Sequence, residues 1–228
     1  MQKAVEHLLR NPAIRRAGGP ALVLPPRLST GFPELDEVLP GGGWPAGCLT
    51  EILIEREGIG ELSLLMPALA TLSQESRWLA WVSPPHIPYG PALVNHGVEL
   101  PRVLLVHARP GKDALWAVEQ GLTSGTCSTV LSWLGETLDD RVLRRLQLAA
   151  EGGNSCGFVF RSTRHVTTSS PAALRLMLEP TAEGLLVRVL KCRGRAGAAV
   201  LLEVDDALVE PIFPGLSSEY HRPRCLSH

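Results

Sequence analysis

A chain of 228 residues with 45% hydrophobic and 20% charged residues has a globular composition and enough length to bury one sizeable core. Its formal net charge of -1 excludes a uniformly basic nucleic-acid binder and leaves room only for a local basic patch. No apolar run reaches the roughly 20 residues of a membrane-spanning helix, and Met1 to Arg16 lacks the apolar stretch of a secretory signal.

In chain order, residues 1–27 read as an arm and linker. Val5, Leu8 and Leu9 fall on one face of a short helix that Asn11-Pro12 ends. The arm carries Lys3, Arg10, Arg15, Arg16 and Arg27 against Glu6 alone, which suits a solvated tail or a partner-docking arm equally. Ser29-Thr30 begins a short helix around Phe32 to Leu39, broken by Pro40 and the glycines that follow. Strands are predicted at Cys48–Ile54, Trp78–Val82, Val103–His107, Thr129–Leu134 and Phe158–Arg161. Helices are predicted at Glu61–Gln74, Pro91–His96, Asp113–Leu122 and after an Asp139 cap. The strands are short and apolar on both faces, with helices between them, which predicts a parallel sheet buried between helix layers.

Beyond Arg161 the pattern changes. Ser162 to Pro171 reads as a Ser/Thr-rich loop. Ala173–Leu178, Leu185–Lys191 and Ala198–Val204 read as consecutive strands with tight turns, an antiparallel extension of the sheet. The fold class is therefore α/β. The core spans 28–206, and 207–228 form a Pro-rich tail.

A Gly turn between a first strand and a buried helix is where a phosphate loop would sit. That chemistry needs glycines to expose backbone N–H groups, a lysine for the phosphate oxygens and a hydroxyl for magnesium. The segment Glu55-Arg56-Glu57-Gly58-Ile59-Gly60-Glu61 keeps two glycines, but only Lys3, Lys112 and Lys191 are lysines in the whole chain. Its carboxylates, Glu55, Glu57 and Glu61, would repel a triphosphate. The strand that should end in a magnesium-site aspartate offers Ser132, and the position of a general base falls near Pro85, with His86 beside it. No metal-binding or hydrolase motif is present. The residues predict no enzyme, no cofactor and no metal. Cys48, Cys127, Cys156, Cys192 and Cys225 are widely spaced without a C-x-x-C and read as incidental thiols of a reducing compartment, which predicts a cytoplasmic protein.

The stretch from Leu28-Ser29-Thr30-Gly31-Phe32 through Pro40-Gly41-Gly42-Gly43-Trp44-Pro45-Ala46-Gly47 to Glu51-Ile52 resembles the segment leading into the phosphate loop of RecA recombinases. The form with G-G-G-W-P-x-G and no loop lysine resembles the ImuA group, RecA-like accessory proteins of SOS-induced mutagenic translesion synthesis. The middle, Ser76-Arg77-Trp78 through Trp133-Leu134 to Gly157-Phe158, also resembles SulA, the SOS cell-division inhibitors that bind FtsZ and block its polymerisation. The strands running to Val204, which a short SulA-type chain lacks, favour the ImuA group.

The ImuA resemblance implies a RecA-like pseudo-ATPase core and a non-enzymatic adaptor that binds RecA and ImuB. Val5, Leu8 and Leu9 are then candidate partner contacts, and the arm offers a route to homo-oligomers. Arg161, Arg164, Arg188, Lys191, Arg193 and Arg195 are candidates for weak, non-specific DNA contact. The same cluster also reads as a solvated basic turn balanced by Glu203, Asp205 and Asp206. The five tryptophans mostly fall on predicted core elements.

Overall fold

Short apolar runs bounded by Gly and Pro become strands, and longer segments with apolar residues every third or fourth position become helices. In the computed structural model, which describes residues 28–135, 138–192 and 197–204, the strands are β1 (Leu49–Ile54), β2 (Trp78–Val82), β3 (Val103–Val106), β4 (Cys127–Trp133), β5 (Cys156–Ser162), β6 (Leu174–Thr181), β7 (Gly184–Lys191) and β8 (Ala199–Leu202). The helices are α1 (Pro33–Val38), α2 (Glu61–Ser73), α3 (Gly90–Asn95), α4 (Lys112–Thr123) and α5 (Asp140–Gly153).

These strands form one sheet in the order β3-β2-β4-β5-β1-β6-β7-β8. The six strands from β3 across to β6 pair in parallel, and β7 and β8 continue antiparallel. A parallel sheet needs cover on both faces. One face packs Ile52, Trp81, Leu131 and Phe158 against Leu35 of α1, Leu64, Leu65 and Leu69 of α2 and Leu93 of α3. The other packs Leu49, Ala80, Val130 and Val159 against Val118 and Leu122 of α4 and Leu143 and Leu146 of α5. β1 lies near the sheet's middle and is buried at every position. The result is a mixed α/β architecture with an eight-stranded sheet.

Two helix starts illustrate how local chemistry sets the elements. Asp139 caps α5 as the sequence predicts, its Oδ1 accepting the Val142 N–H at 2.8 Å. Ser29-Thr30 does not cap α1. Phe32 stands at the N-cap with no side-chain bond, and Pro33 follows. Asp36, inside the helix, instead reaches back to the Ser29 hydroxyl at 2.7 Å and the Thr30 N–H at 2.9 Å. The longer reach of the acid, one turn into the helix, wins over the shorter hydroxyls. At the far end of α5, Gly153 is required by space: a Cβ there would lie 1.9 Å from the Leu122 carbonyl oxygen of α4.

The tryptophans divide. Trp44 and Trp81 are fully buried, but Trp78 is 41% and Trp116 64% exposed, so the expectation of core packing fails for those two. Trp78 is the first residue of β2 and Trp116 lies on the outward side of α4, where burial of the element does not extend to every side chain.

Candidate functional site

The loop after β1 has the shape of a phosphate loop and the chemistry of a closed one. Gly58 and Gly60 take positive φ values of 77° and 100°. The Gly58 and Ile59 N–H groups turn toward one point, as they would toward a phosphate. The acceptor at that point is the carboxylate of Glu61: Oε1 takes the Gly58 N–H and Oε2 the Ile59 N–H, each at 2.9 Å. Glu61 is 4% exposed and opens α2, where the helix dipole favours its negative charge. A phosphate would have to displace this carboxylate and share its surroundings with it. Glu61→Ala is expected to lower stability by about 2 kcal/mol, read from urea denaturation, because two N–H donors lose a charged acceptor.

The remaining predicted loop residues, Glu55, Arg56 and Glu57, are exposed. Together with Ser83, Pro85, Trp133, Phe160 and Arg161 they line a cavity of about 300 Å³ at the carboxyl ends of the parallel strands. Open α/β sheets hold ligands at this edge. Here the wall is aromatic: Trp133 stacks on Phe160 at 4.5 Å and lies 6.0 Å from Trp81. Ser132 is fully buried, its hydroxyl donating to the Phe158 carbonyl at 3.2 Å, and so is a strand-packing residue. Among the described residues, no group of three or more His, Cys, Asp or Glu could hold a metal ion.

Beneath the cavity lies a charge network that sequence reasoning missed. Glu51 of β1 is fully buried and holds two arginines. Its Oε1 accepts from Arg161 of β5 at 2.6 Å and its Oε2 from Arg175 of β6 at 2.6 Å. Arg161 also donates to the Leu138 carbonyl. Arg175 donates to the carbonyls of His165 and Thr168, which fastens the Ser/Thr-rich loop over the sheet. The only sequence signal was a glutamate inside an otherwise apolar strand, which must find a partner when buried.

This geometry removes Arg161 from any nucleic-acid surface: it is 5% exposed and its charge is matched inside the protein. Arg188 pairs with Glu179 at 2.8 Å on the outside of the β6-β7 hairpin. Lys191 donates to the Ser170 carbonyl, and Arg164 bonds the Ser162 hydroxyl. Among the described residues of the predicted basic cluster, only Arg161 is buried, while Arg164 and Arg188 stay exposed. Arg193 and Arg195 lie outside the described residues, as do Val5, Leu8 and Leu9 of the arm.

Six exposed large apolar side chains lie on β3 and the segment before it, and others are spread over the described residues at Trp78, Trp116, Leu148, Val166 and Leu201. β3 is an edge strand, with Leu104 43% and Leu105 36% exposed. The segment joining β2 to β3 adds Ile87 at 76%, Tyr89 at 50%, Val94 at 54% and Leu100 at 39%. The Ser83 N–H bonds the Val106 carbonyl at 2.9 Å, and a Cβ on Gly90 would lie 3.4 Å from Leu100, so this segment folds against the strand and its own exit. Pro84, Pro85, Pro88 and Pro91 stiffen it. An apolar rim of this kind on an exposed sheet edge is a surface that proteins either cover or use for contact.

Comparison with known proteins bears on this part of the chain. A family model described as "Cell division inhibitor SulA" matches residues 47–157. The SulA of Yersinia pestis (strain Pestoides F) is 36% identical over 117 residues, which cover 51% of this chain and 68% of the relative. The chain belongs to the SulA family. The SulA of Photorhabdus laumondii subsp. laumondii is 38% identical over 98 residues, 43% of this chain and 55% of the relative, so the chain spans about half to two thirds of these relatives. The crystal structure of SulA from Pseudomonas aeruginosa matches at 32% identity with a TM-score of 0.42, covering 50% of this chain and 97% of that one.

Membership of the SulA family corrects the ImuA assignment, and with it the expected partners RecA and ImuB and the role in translesion synthesis. The features that favoured ImuA were the G-G-G-W-P-x-G lead-in and the strands toward Val204. All but the last residue of that lead-in, and all of β6, β7 and β8, lie outside residues 47–157, where the SulA match runs. They extend the sheet without identifying a partner. The SulA family is one of inhibitors, and this chain is not an enzyme. No helix among the described residues is long and apolar enough to cross a membrane.

Proposed function

We propose that this chain is a cytoplasmic cell-division inhibitor of the SOS response that binds FtsZ and blocks its polymerisation. The observation that carries this reading is the SulA match over residues 47–157. Those residues include both the occupied loop and the apolar rim. The Glu61 carboxylate in the loop supports action by surface contact and not by nucleotide turnover. The rim at Ile87, Tyr89, Val94, Leu100, Leu104 and Leu105 supplies the contact, with its desolvation as the driving force.

In this reading residues 28–206 form a RecA-like core that has lost its ATPase elements, with 1–27 and 207–228 as appendages. The strand order, with β1 flanked by β5 and β6 and the helix-opening loop at its carboxyl end, supports that descent. The test is sedimentation of FtsZ polymers with GTP in the presence of the purified full chain. A dose-dependent fall in pelleted FtsZ is expected. An unchanged pellet at a molar excess of the chain overturns the proposal.

A further inference from the structure

The starts of β1 and β5 bring two distant cysteines to one place. In the parallel register Leu49 stands opposite Gly157, and the Gly157 N–H bonds the Cys48 carbonyl at 2.9 Å. One step back, Cys48 stands opposite Cys156. Register partners on neighbouring strands point to the same face of a sheet. Both residues are present as thiols, Cys156 buried and Cys48 half-buried. The Gly47 N–H bonds the Cys156 sulfur, which draws the residue preceding Cys48 onto the same atom.

We propose that Cys48 and Cys156 are a redox pair that closes to a reversible disulfide when the protein meets a peroxide. Burial pushes the Cys156 thiol up to about 11, against the Gly47 bond that lowers it, so Cys156 is held as the neutral thiol. Cys48 is the partner that solvent reaches and reacts first. Its sulfur attacks the peroxide, the O–O bond breaks, one water leaves and a sulfenic acid remains. The Cys156 sulfur then attacks the sulfenic sulfur. The S–S bond forms, the S–O bond breaks, and the departing hydroxide takes the Cys156 proton as a second water. Two thiols are oxidised by two electrons and one peroxide is reduced to two waters.

Neighbouring strands run about 4.8 Å apart, within the roughly 4.4–6.8 Å Cα separation that a disulfide spans. A disulfide that solvent reaches at Cys48 is of the labile kind that is reduced again, as a switch requires. The other described cysteines do not compete. Cys127 packs on the opposite face of the sheet, and Cys192 follows β7, three strands away from β5. The bond would tie the middle of the sheet across the whole segment from Cys48 to Cys156 and restrict the unfolded chain accordingly.

The test treats the full-length protein with hydrogen peroxide, maps its peptides by mass spectrometry without reduction and follows its thermal unfolding. A Cys48–Cys156 linked peptide that dithiothreitol removes is expected, with a raised Tm in the oxidised protein. Cys48→Ser should fold like the parent, because Cys48 is half-buried, and should lose both the link and the Tm rise. A link through Cys127, Cys192 or Cys225 instead, over-oxidation of Cys48 without a link, or two unmodified thiols each overturn the proposal.

Discussion

Glu51→Ala is expected to destabilise the protein by about 3–5 kcal/mol, the range found when one member of a buried ion network is removed. The variant would leave Arg161 and Arg175, each 5% exposed, facing one another with no acceptor between them. The two guanidinium groups would keep only their backbone-carbonyl bonds, with no counter-charge for their buried positive charges. Urea denaturation monitored by tryptophan fluorescence measures the loss. Replacing Glu51, Arg161 and Arg175 together by apolar residues of similar volume should recover much of it, since no buried charge then remains. A Glu51→Ala variant within about 0.5 kcal/mol of the parent, the level of an ordinary surface substitution, would mean that water reaches the network freely.

Ile87→Asp with Tyr89→Asp is expected to weaken inhibition of FtsZ assembly roughly a hundredfold, as loss of two central apolar anchors does at protein interfaces. Ile87 is 76% and Tyr89 50% exposed, so neither holds the core together. Stability should stay within about 0.5 kcal/mol of the parent. The measurement is the concentration of variant that halves pelleted FtsZ, with a melting curve on the same sample. Full inhibition by a folded variant would move the contact away from this rim. Loss of inhibition with a large drop in Tm would assign the two side chains a structural role.

The ImuA reading shows where sequence inference goes astray. Loss of the loop lysine, the aspartate at Ser132 and the base near Pro85 correctly pointed away from catalysis, because catalysis needs particular functional groups and their absence is visible residue by residue. Partner choice depends on a surface, and a surface has no comparable local signature. The extra strands after Ser162 looked decisive because hairpins are easy to read from alternation and turns. They are fold extensions outside the segment shared with SulA. Burial is equally invisible in a list of cations: Arg161 looks like Arg164 there, yet one is buried against Glu51 and the other bonds Ser162 near the surface.

What the sequence by itself determined was the order of elements, the parallel sheet with an antiparallel end, and the lack of a lysine in the glycine turn after β1. These rest on hydrophobic period, turn residues and single functional groups, all of which act over a few residues. What only the tertiary structure decided was which of those residues meet. Glu51 finds Arg161 across 110 positions and Arg175 across 124. Cys48 and Cys156 immediately precede the Leu49–Gly157 register pair, and β3 falls at an open edge with its leucines exposed. Strand order sets these meetings. It follows from the packing of whole helices on both faces of the sheet, a sum over distant contacts that no local pattern carries.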